Sequence, residues 1–299
     1  MRVVILFNPI SGSGRGERLA RALDVAAQSA GLETVVCPTR LEPLETWLDE
    51  VIEPADALIV VGGDGAMRLA APAAMRCATP IYHFPMGTEN LFAREFSAGN
   101  SVDAAIASVR AMNVTSIDVG LANGRVFLLM ASLGLDAEVV ADLSARRTGS
   151  ISHLSYAAPI ARQVLTLKPP RFTVHADGEL VVDDEPGMLV IANCRQYGVR
   201  LDPAFWADTG DGLLDLAFMP ARSRLGMGIW AARCRLRRQR RHPRVIEARA
   251  ASFTIIRHDA AFQMDGDPPE PIDGRDDDRH EPIEMRIADQ RLRVITASA

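Results

Sequence analysis

Ala57-Leu58-Ile59-Val60-Val61-Gly62-Gly63-Asp64-Gly65-Ala66 is the stretch on which the fold turns. Five apolar residues without polar alternation read as a strand buried on both faces, the mark of a parallel sheet covered by helices on either side. Glycines around one carboxylate end that strand, and the apolar spacing of residues 67–75 predicts a helix. A strand, glycine loop and helix in this order present backbone N–H groups at a helix N-terminus, where an anion is favoured. The glycines allow phosphate to approach the main chain. Asp64, itself an anion, is suited to hold Mg²⁺ that bridges phosphate oxygens, the other reading being a cap on the helix it precedes.

The same arrangement recurs on both sides. Residues 2–7 predict a buried strand, Asn8-Pro9-Ile10-Ser11-Gly12-Ser13-Gly14-Arg15-Gly16 a second glycine loop, and 17–30 a helix. A strand over 34–37 and a helix over 44–51 complete a βαβαβα order through residue 75. Farther on, Phe84-Pro85-Met86-Gly87-Thr88-Glu89-Asn90-Leu91-Phe92-Ala93 follows a short apolar strand and starts another helix. There Thr88 can cap that helix or bind phosphate, and Asn90 can bond a ligand or fix the loop. Loops at the carboxyl ends of such strands form the ligand crevice. A dinucleotide site needs an acidic residue on the second strand, which here ends in Cys37-Pro38-Thr39. A Walker loop needs a lysine after its glycines, and the only lysine is the distant Lys168.

Beyond about Asp118 the texture changes to strand-like runs at 125–130, 171–176, 188–192, 213–219, 252–257 and 291–296, with one helical stretch over 152–167. Across 299 residues, 48% hydrophobic and 24% charged, this predicts a folded chain of two domains, or one large α/β domain, with an internal cleft. A net charge of −5 argues against a nucleic-acid binder with a generally basic surface. Against that balance, Arg233, Arg235, Arg237, Arg238, Arg240, Arg241 and Arg244 form a dense cationic segment, suited to anionic headgroups or to a solvated helix face. The acidic residues from Asp273 to Asp278 read as a solvated loop. Cys37, Cys77, Cys194 and Cys234 read as thiols without zinc or disulfide spacing, and the six histidines show no ligand spacing. Trp47, Trp206 and Trp230 read as packing residues. No window is long and apolar enough for a membrane span, and residues 1–9 do not read as a signal peptide. The expected location is therefore cytoplasmic, with peripheral contact at the inner membrane face through the arginines.

The three loops together resemble those of the diacylglycerol kinase catalytic-domain family, which includes bacterial lipid kinases and the sphingosine and ceramide kinases. The resemblance runs through Asn8-Pro9-x-x-Gly12, Gly62-Gly63-Asp64-Gly65, Gly87-Thr88-x-Asn90, Asp118 in Ile117-Asp118-Val119-Gly120, Asp211-Gly212-Leu213-Leu214 and Asp265-Gly266-Asp267. It implies a Rossmann-like α/β domain of the NAD kinase and phosphofructokinase type over 1–118, a β-sandwich domain carrying lipid over 119–283, and a return of 284–299 to the first domain. ATP and Mg²⁺ are the implied cofactors and a membrane lipid is the implied acceptor. A homodimer is left open, and no nucleic-acid partner is expected.

Carried over by position, the resemblance places nucleotide contacts at Asn8, Thr39, Gly62, Gly63, Asp64, Gly65, Ala66, Met67, Arg68 and Thr88. It assigns Asp64 and Asp118 to organising catalytic Mg²⁺ through water, and Asp267 to the general base, one methylene shorter than the family's Glu. A structural Mg²⁺, or Ca²⁺ in its place, would involve Asp208 and Leu213 by backbone and Asp211 by carboxylate. The chain departs from the pattern at three positions. Ala66 replaces a Thr, Leu91 replaces an Asp of the metal network, and Asp267 replaces the Glu. An NAD or sugar-phosphate kinase, and a nucleotide- or lipid-binding regulatory protein that has lost catalysis, are the alternatives.

Overall fold

The computed structural model describes residues 1–9, 14–40, 42–96, 98–134, 136–140, 168–258, 260–269 and 281–297. The helix expected over 152–167, the acidic stretch 273–278, His153 and His280 lie outside them, as do Ile10 through Ser13 of the first loop. The chain divides into two compact units, Met1–Ile117 with Asp289–Ala299, and Asp118–Ala288.

The first unit is an α/β layer structure. Strands β1 (Arg2–Phe7), β2 (Glu33–Pro38), β3 (Ala57–Gly62) and β4 (Ile81–Pro85) alternate with helices α1 (Arg15–Ser29), α2 (Leu48–Ile52), α3 (Asp64–Arg76), α4 (Leu91–Glu95) and α5 (Val102–Ala111). Strand β5 (Val114–Ile117) follows, and β16 (Leu292–Ile295) joins from the far end of the chain, giving the order β2-β1-β3-β4-β16-β5. β1 through β4 are mutually parallel, and the residues of β3 are buried throughout. The apolar run 57–61 therefore has a physical cause, since both faces of its strand meet a helical layer. One such layer sets Ala20, Leu23 and Ala27 of α1 with Ala105 and Val109 of α5 against Val3, Ile5 and Ile59. β1 connects to β2 on one side and has β3 on the other, so the sheet has its topological switch point between β1 and β3.

Two helices differ from their sequence reading. The stretch 44–51 is a 3-10 turn, Leu44–Thr46, followed by α2, because the buried Trp47 between them is bent out of helical geometry (φ −146°, ψ −20°). α3 starts at Asp64 rather than at 67, so Gly65 and Ala66 belong to its first turn and Gly63 is its N-cap.

The second unit is an antiparallel β-sandwich. It contains β6 (Gly120–Ala122), β7 (Arg125–Phe127), β8 (Met130–Leu133), β9 (Arg171–Ala176), β10 (Glu179–Ala192), β11 (Leu214–Pro220), β12 (Ile246–Ala250), β13 (Ser252–His258), β14 (Phe262–Met264) and β15 (Ile283–Ile287). The 14-residue β10 belongs to both layers, its first half pairing with β9 and its second half with β8 and β11. Register shifts between Leu180 and Glu185 mark the change of sheet. Phe127, Phe172, Leu189, Ile191, Phe218, Phe253 and Ile255 fill the core. β15 pairs with β13 and β6, so residues 284–288 stay in this unit and the chain re-enters the first at Asp289. The single strand expected over 125–130 is two strands, because Leu128 and Leu129 turn their amides out of the ladder to a carboxylate described below.

The arginine-rich stretch is not one helix. α6 (Arg224–Arg235) ends before Arg237, which takes the left-handed conformation (φ 52°), and Gln239–Arg241 is a separate 3-10 turn. Two of these arginines make ion pairs, Arg237 with Asp202 at 2.8 Å and Arg240 with Glu247 at 2.8 Å. Arg240 also stacks 4.5 Å above Trp206. The four cysteines are free, and Trp47 and Trp230 are buried as expected of packing residues.

Candidate active site

In the first unit the glycine loops after β3 and β4 meet backbone to backbone. A Cβ on Gly87 would lie 2.9 Å from the Gly63 Cα, and one on Gly63 3.2 Å from the Gly87 Cα. A Cβ on Gly62 would lie 2.5 Å from the Ala66 Cβ. No other residue fits these positions without displacing backbone, so the glycine pattern is a packing requirement as well as a permissive surface for a ligand. Asn90 fixes the second loop. In the left-handed conformation (φ 48°, ψ 51°), its Oδ1 accepts from the Gly87 N–H at 2.7 Å and its Nδ2 donates to the Gly87 carbonyl at 2.7 Å.

Asp64 joins the two loops. Its Oδ2 accepts from the Leu91 N–H at 3.0 Å and its Oδ1 from the Phe92 N–H at 2.9 Å, so it caps α4 across 27 residues and does not cap its own helix. Thr88 is therefore not the cap of α4; it lies exposed on the loop. Beneath the first loop the buried His83 approaches the Gly62 carbonyl at 2.9 Å through Nε2. Burial pushes its basicity down, opposed by the Asp64 charge and by this hydrogen bond, which keeps a neutral ring under the loop. Asn8 ends β1 beside the switch point, and Thr39 continues the β2 pairing through its N–H to the Phe7 carbonyl at 2.8 Å. The Met67 side chain is fully buried and Arg68 is nearly so, leaving main chain as the means by which Met67 can meet a ligand. Leu91, where the family pattern has Asp, is buried as well.

In the second unit the acidic residues organise main chain. Asp118 is buried, and its Oδ2 accepts from the Gly212 N–H at 2.6 Å, which ties it to the Asp211-Gly212 turn. Asp265 and Gly266 occupy the two left-handed positions of a tight hairpin turn (φ 52° and 88°), closed by reciprocal bonds between Met264 and Asp267 at 2.9 and 3.0 Å. The Asp265 carboxylate accepts from the N–H groups of Leu128, Leu129 and Met130 at 2.7, 2.8 and 3.0 Å. Asn193 closes the network, its Nδ2 donating to the carbonyls of Asp118 at 2.8 Å and Leu128 at 2.9 Å. Asp118, the Asp-Gly-Leu turn and the Asp265-Gly266-Asp267 turn are thus joined through one buried asparagine.

Asn193 was not among the residues expected from sequence, and neither was a second polar cluster. Ser132 and Tyr197 both donate to Asp136, Gln263 donates to Ser132, and the Gln263 Oε1 accepts from the Gly266 N–H at 2.7 Å. Burial and the neighbouring Asp136 hold the Tyr197 hydroxyl well above the usual phenol range, so it stays a proton donor. Their spacing in sequence, with Tyr197 and Gln263 61 and 127 residues from Asp136, leaves no local signal.

The residues expected to hold metal fit it unequally. Asp211 pairs with the Arg249 guanidinium and also accepts from the Leu213 N–H at 3.0 Å, so a cationic side chain already serves the carboxylate assigned to a structural Mg²⁺ or Ca²⁺. Asp208 is exposed and accepts from the Gly210 N–H at 3.0 Å. Asp64 and Asp118 direct carboxylate oxygens to main-chain amides, which leaves lone pairs for water on a metal and suits the indirect role. No group of three or more His, Cys, Asp or Glu arranged to hold a metal ion occurs among the described residues.

A parallel α/β sheet with glycine loops at its switch point is thus followed, in one chain, by an antiparallel sandwich with buried Asp-Gly turns. The model of the diacylglycerol kinase catalytic domain matches residues 2–122, and that of the YegS C-terminal NAD kinase beta sandwich-like domain matches 130–295. The chain belongs to this diacylglycerol kinase family and is a lipid kinase. It is 28% identical over 231 residues to a diacylglycerol kinase of Mycobacterium tuberculosis, covering 75% of this chain and 74% of that one. With a protein of Pseudomonas aeruginosa named "Probable lipid kinase YegS-like" it shares 31% over 230 residues, covering 71% and 70%. A crystal structure of a diacylglycerol kinase from Bacillus anthracis has the same fold, with TM-score 0.73 at 18% identity over 99% of this chain and 96% of that one.

Proposed function

We propose that the protein transfers the γ-phosphoryl group of ATP, bound as its Mg²⁺ complex, to a hydroxyl of a membrane lipid such as diacylglycerol or a sphingoid lipid. The observation that carries this reading is the contact of Gly63 with Gly87 at the ends of adjacent parallel strands, with Asp64 linking the loops. Phosphoryl transfer is chiefly positioning and charge neutralisation, which the main-chain amides of Gly63, Asp64 and Gly65 at the start of α3, and of Thr88, would supply. Asn8 and Thr39, flanking the crevice at β1 and β2, complete the nucleotide contacts. Asp64 and Asp118 are the carboxylates that would organise, through water, the Mg²⁺ that accompanies ATP.

The acceptor oxygen attacks the γ-phosphorus, the bond to the bridging oxygen of ADP breaks, and the hydroxyl proton passes to the Asp267 carboxylate. A carboxylate accepts an alcohol proton when it lies within hydrogen-bond reach of the hydroxyl. Asp267 follows a turn that Asp265 and Gln263 hold from two sides, which is the support a shortened base requires. Among the described residues no helix is long and apolar enough to cross a membrane.

The test is transfer of labelled γ-phosphate from Mg·ATP to diacylglycerol, monoacylglycerol, ceramide, sphingosine and phosphatidylglycerol in mixed micelles, with NAD as control. Label in one lipid is expected, and Asp64→Asn is expected to abolish it while the fold is retained. Label in NAD alone, or ATP binding with no acceptor labelled, would overturn the proposal, the second result favouring a regulatory protein.

A further inference from the structure

The two faces of α6 have opposite apolar destinations. Met227, Trp230 and Cys234 are buried, and the Trp230 indole donates to the Pro220 carbonyl at 2.8 Å, which fixes the helix on β11. On the other side Leu225 is 75% exposed, Ile229 50% and Leu236, at the C-cap, 62%. With Ala232, also exposed, these residues follow at intervals of four, three and four, one continuous stripe opposite the buried face. At about 100° per residue, Arg224 and Arg235 flank the stripe on one side and Arg233 on the other, each about 90° away.

Charge and shape extend the pattern past the helix. Residues 222–244 hold nine arginines and no acidic residue, in a chain whose net charge is −5. At the N-terminus of α6 a groove of about 450 Å³ is lined by Lys168, Arg171, Glu185 and Arg222 among others. An adjoining groove of about 340 Å³ carries the surface from Lys168 past Ser223 and Arg224 to Leu225. The only lysine of the protein therefore lies beside the first residue of the apolar stripe.

We propose that the outer face of α6 is an interfacial anchor lying in the surface of an anionic bilayer. Leu225, Ile229 and Leu236 enter the acyl boundary, while Arg222, Arg224, Arg235 and Lys168 meet lipid phosphates. An apolar stripe flanked by cations on both sides is the pattern of a helix that lies flat in a membrane interface. A second copy of this chain fits the same surface badly. The stripe is one residue wide and about 16 Å long, far short of the roughly 800 Å² per partner of a stable protein interface, and pairing would oppose Arg222, Arg224, Arg233 and Arg235 with their copies. The proposal gives the lipid kinase reading its access to substrate and rests on that reading only for its purpose, since anchoring needs no ATP.

Flotation with phosphatidylcholine vesicles containing about 30% phosphatidylglycerol measures the anchor directly. Leu225→Glu/Ile229→Glu is expected to lower partitioning at least about tenfold, and Arg222→Gln/Arg224→Gln/Arg235→Gln to lower it further at low salt than at high salt. Both variants should keep the wild-type melting temperature, because the altered side chains are exposed. A bromolipid should quench a fluorophore on Ile229→Cys. Unchanged partitioning, no quenching, or a wild-type dimer that the Glu variant converts to monomer without lipid would each overturn the proposal. Transfer to a water-soluble short-chain diacylglycerol separates the two readings. It should be equal in wild type and Glu variant, and its absence from both, with partitioning still lost in the variant, would count against the kinase and leave the anchor standing.

Discussion

The glycine loops of the first unit and the Asp-Gly turns of the second solve the same problem by opposite means. In the first unit two loops are brought together by the absence of side chains, so that Gly63 and Gly87 touch and a single Cβ would part them. In the second, carboxylates hold main chain in place. Asp265 grips three successive amides and Asp118 a fourth. Aspartates of similar appearance in sequence thus differ in what surrounds them. Asp64 bonds amides at the rim of a ligand loop, whereas Asp265 is buried beneath a turn and leaves the neighbouring Asp267 as the carboxylate of that motif that meets solvent.

The comparison is broken most forcefully at Asp265. Asp265→Ala leaves three amides without their acceptor, and urea unfolding should show a loss of about 4 kcal/mol together with loss of transfer. Asp265→Asn, which keeps one carbonyl oxygen, should lose about half as much; equal stability in either variant would mean that the turn is held by something else.

Asp215, fully buried on β11, is next. Burial raises its carboxyl to about 6 from the ordinary 3.8, against the pull of the Trp206 indole and Arg240. The folded protein then binds this proton more tightly than the unfolded chain. Stability is highest below about pH 4 on account of this group and falls as pH rises toward 6, by at most about 3 kcal/mol. Melting curves of Asp215→Asn should lack that fall; a parallel pH profile would remove Asp215 as its source.

In the first unit Gly87→Ala places a Cβ 2.9 Å from the Gly63 Cα and 3.0 Å from the Asn90 Oδ1. It should cost about 2 kcal/mol of stability and weaken ATP binding by more than that strain alone explains. Restoring the family's hydroxyl by Ala66→Thr is the gentlest change. It should tighten ATP binding by about fivefold, the worth of one hydrogen bond, as read by calorimetry. No change would show that Ala66 is already adequate for this enzyme.

The two regions were also unequally legible. Glycine loops advertise themselves because the strand, the loop and the helix they open are contiguous, and β3 with Gly62 to Gly65 carries the whole signal within ten residues. The β-sandwich was legible as a class from its turns, but its working contacts join Leu128 to Asp265 and Asp118 to Gly212, 137 and 94 residues apart. The strand over 125–130 was read as continuous because nothing local shows that the Leu128 and Leu129 amides have another partner. Asn193 was invisible for the same reason, sitting unremarked at the end of an apolar run. α6 failed differently. Its arginines signal only charge, and the stripe Leu225, Ile229 and Leu236 is defined by the burial of Trp230, which marks the opposite face.

The central claim is that the first unit binds nucleotide and that Asp267 of the second accepts the acceptor's proton. Kinetics of Asp267→Asn, with ATP affinity measured separately, test it most directly. We expect kcat to fall at least about a hundredfold, with the Kd for Mg·ATP within about twofold of wild type. An unchanged kcat would place the base elsewhere, and a matching loss of ATP affinity would show that the two units do not divide the work in this way.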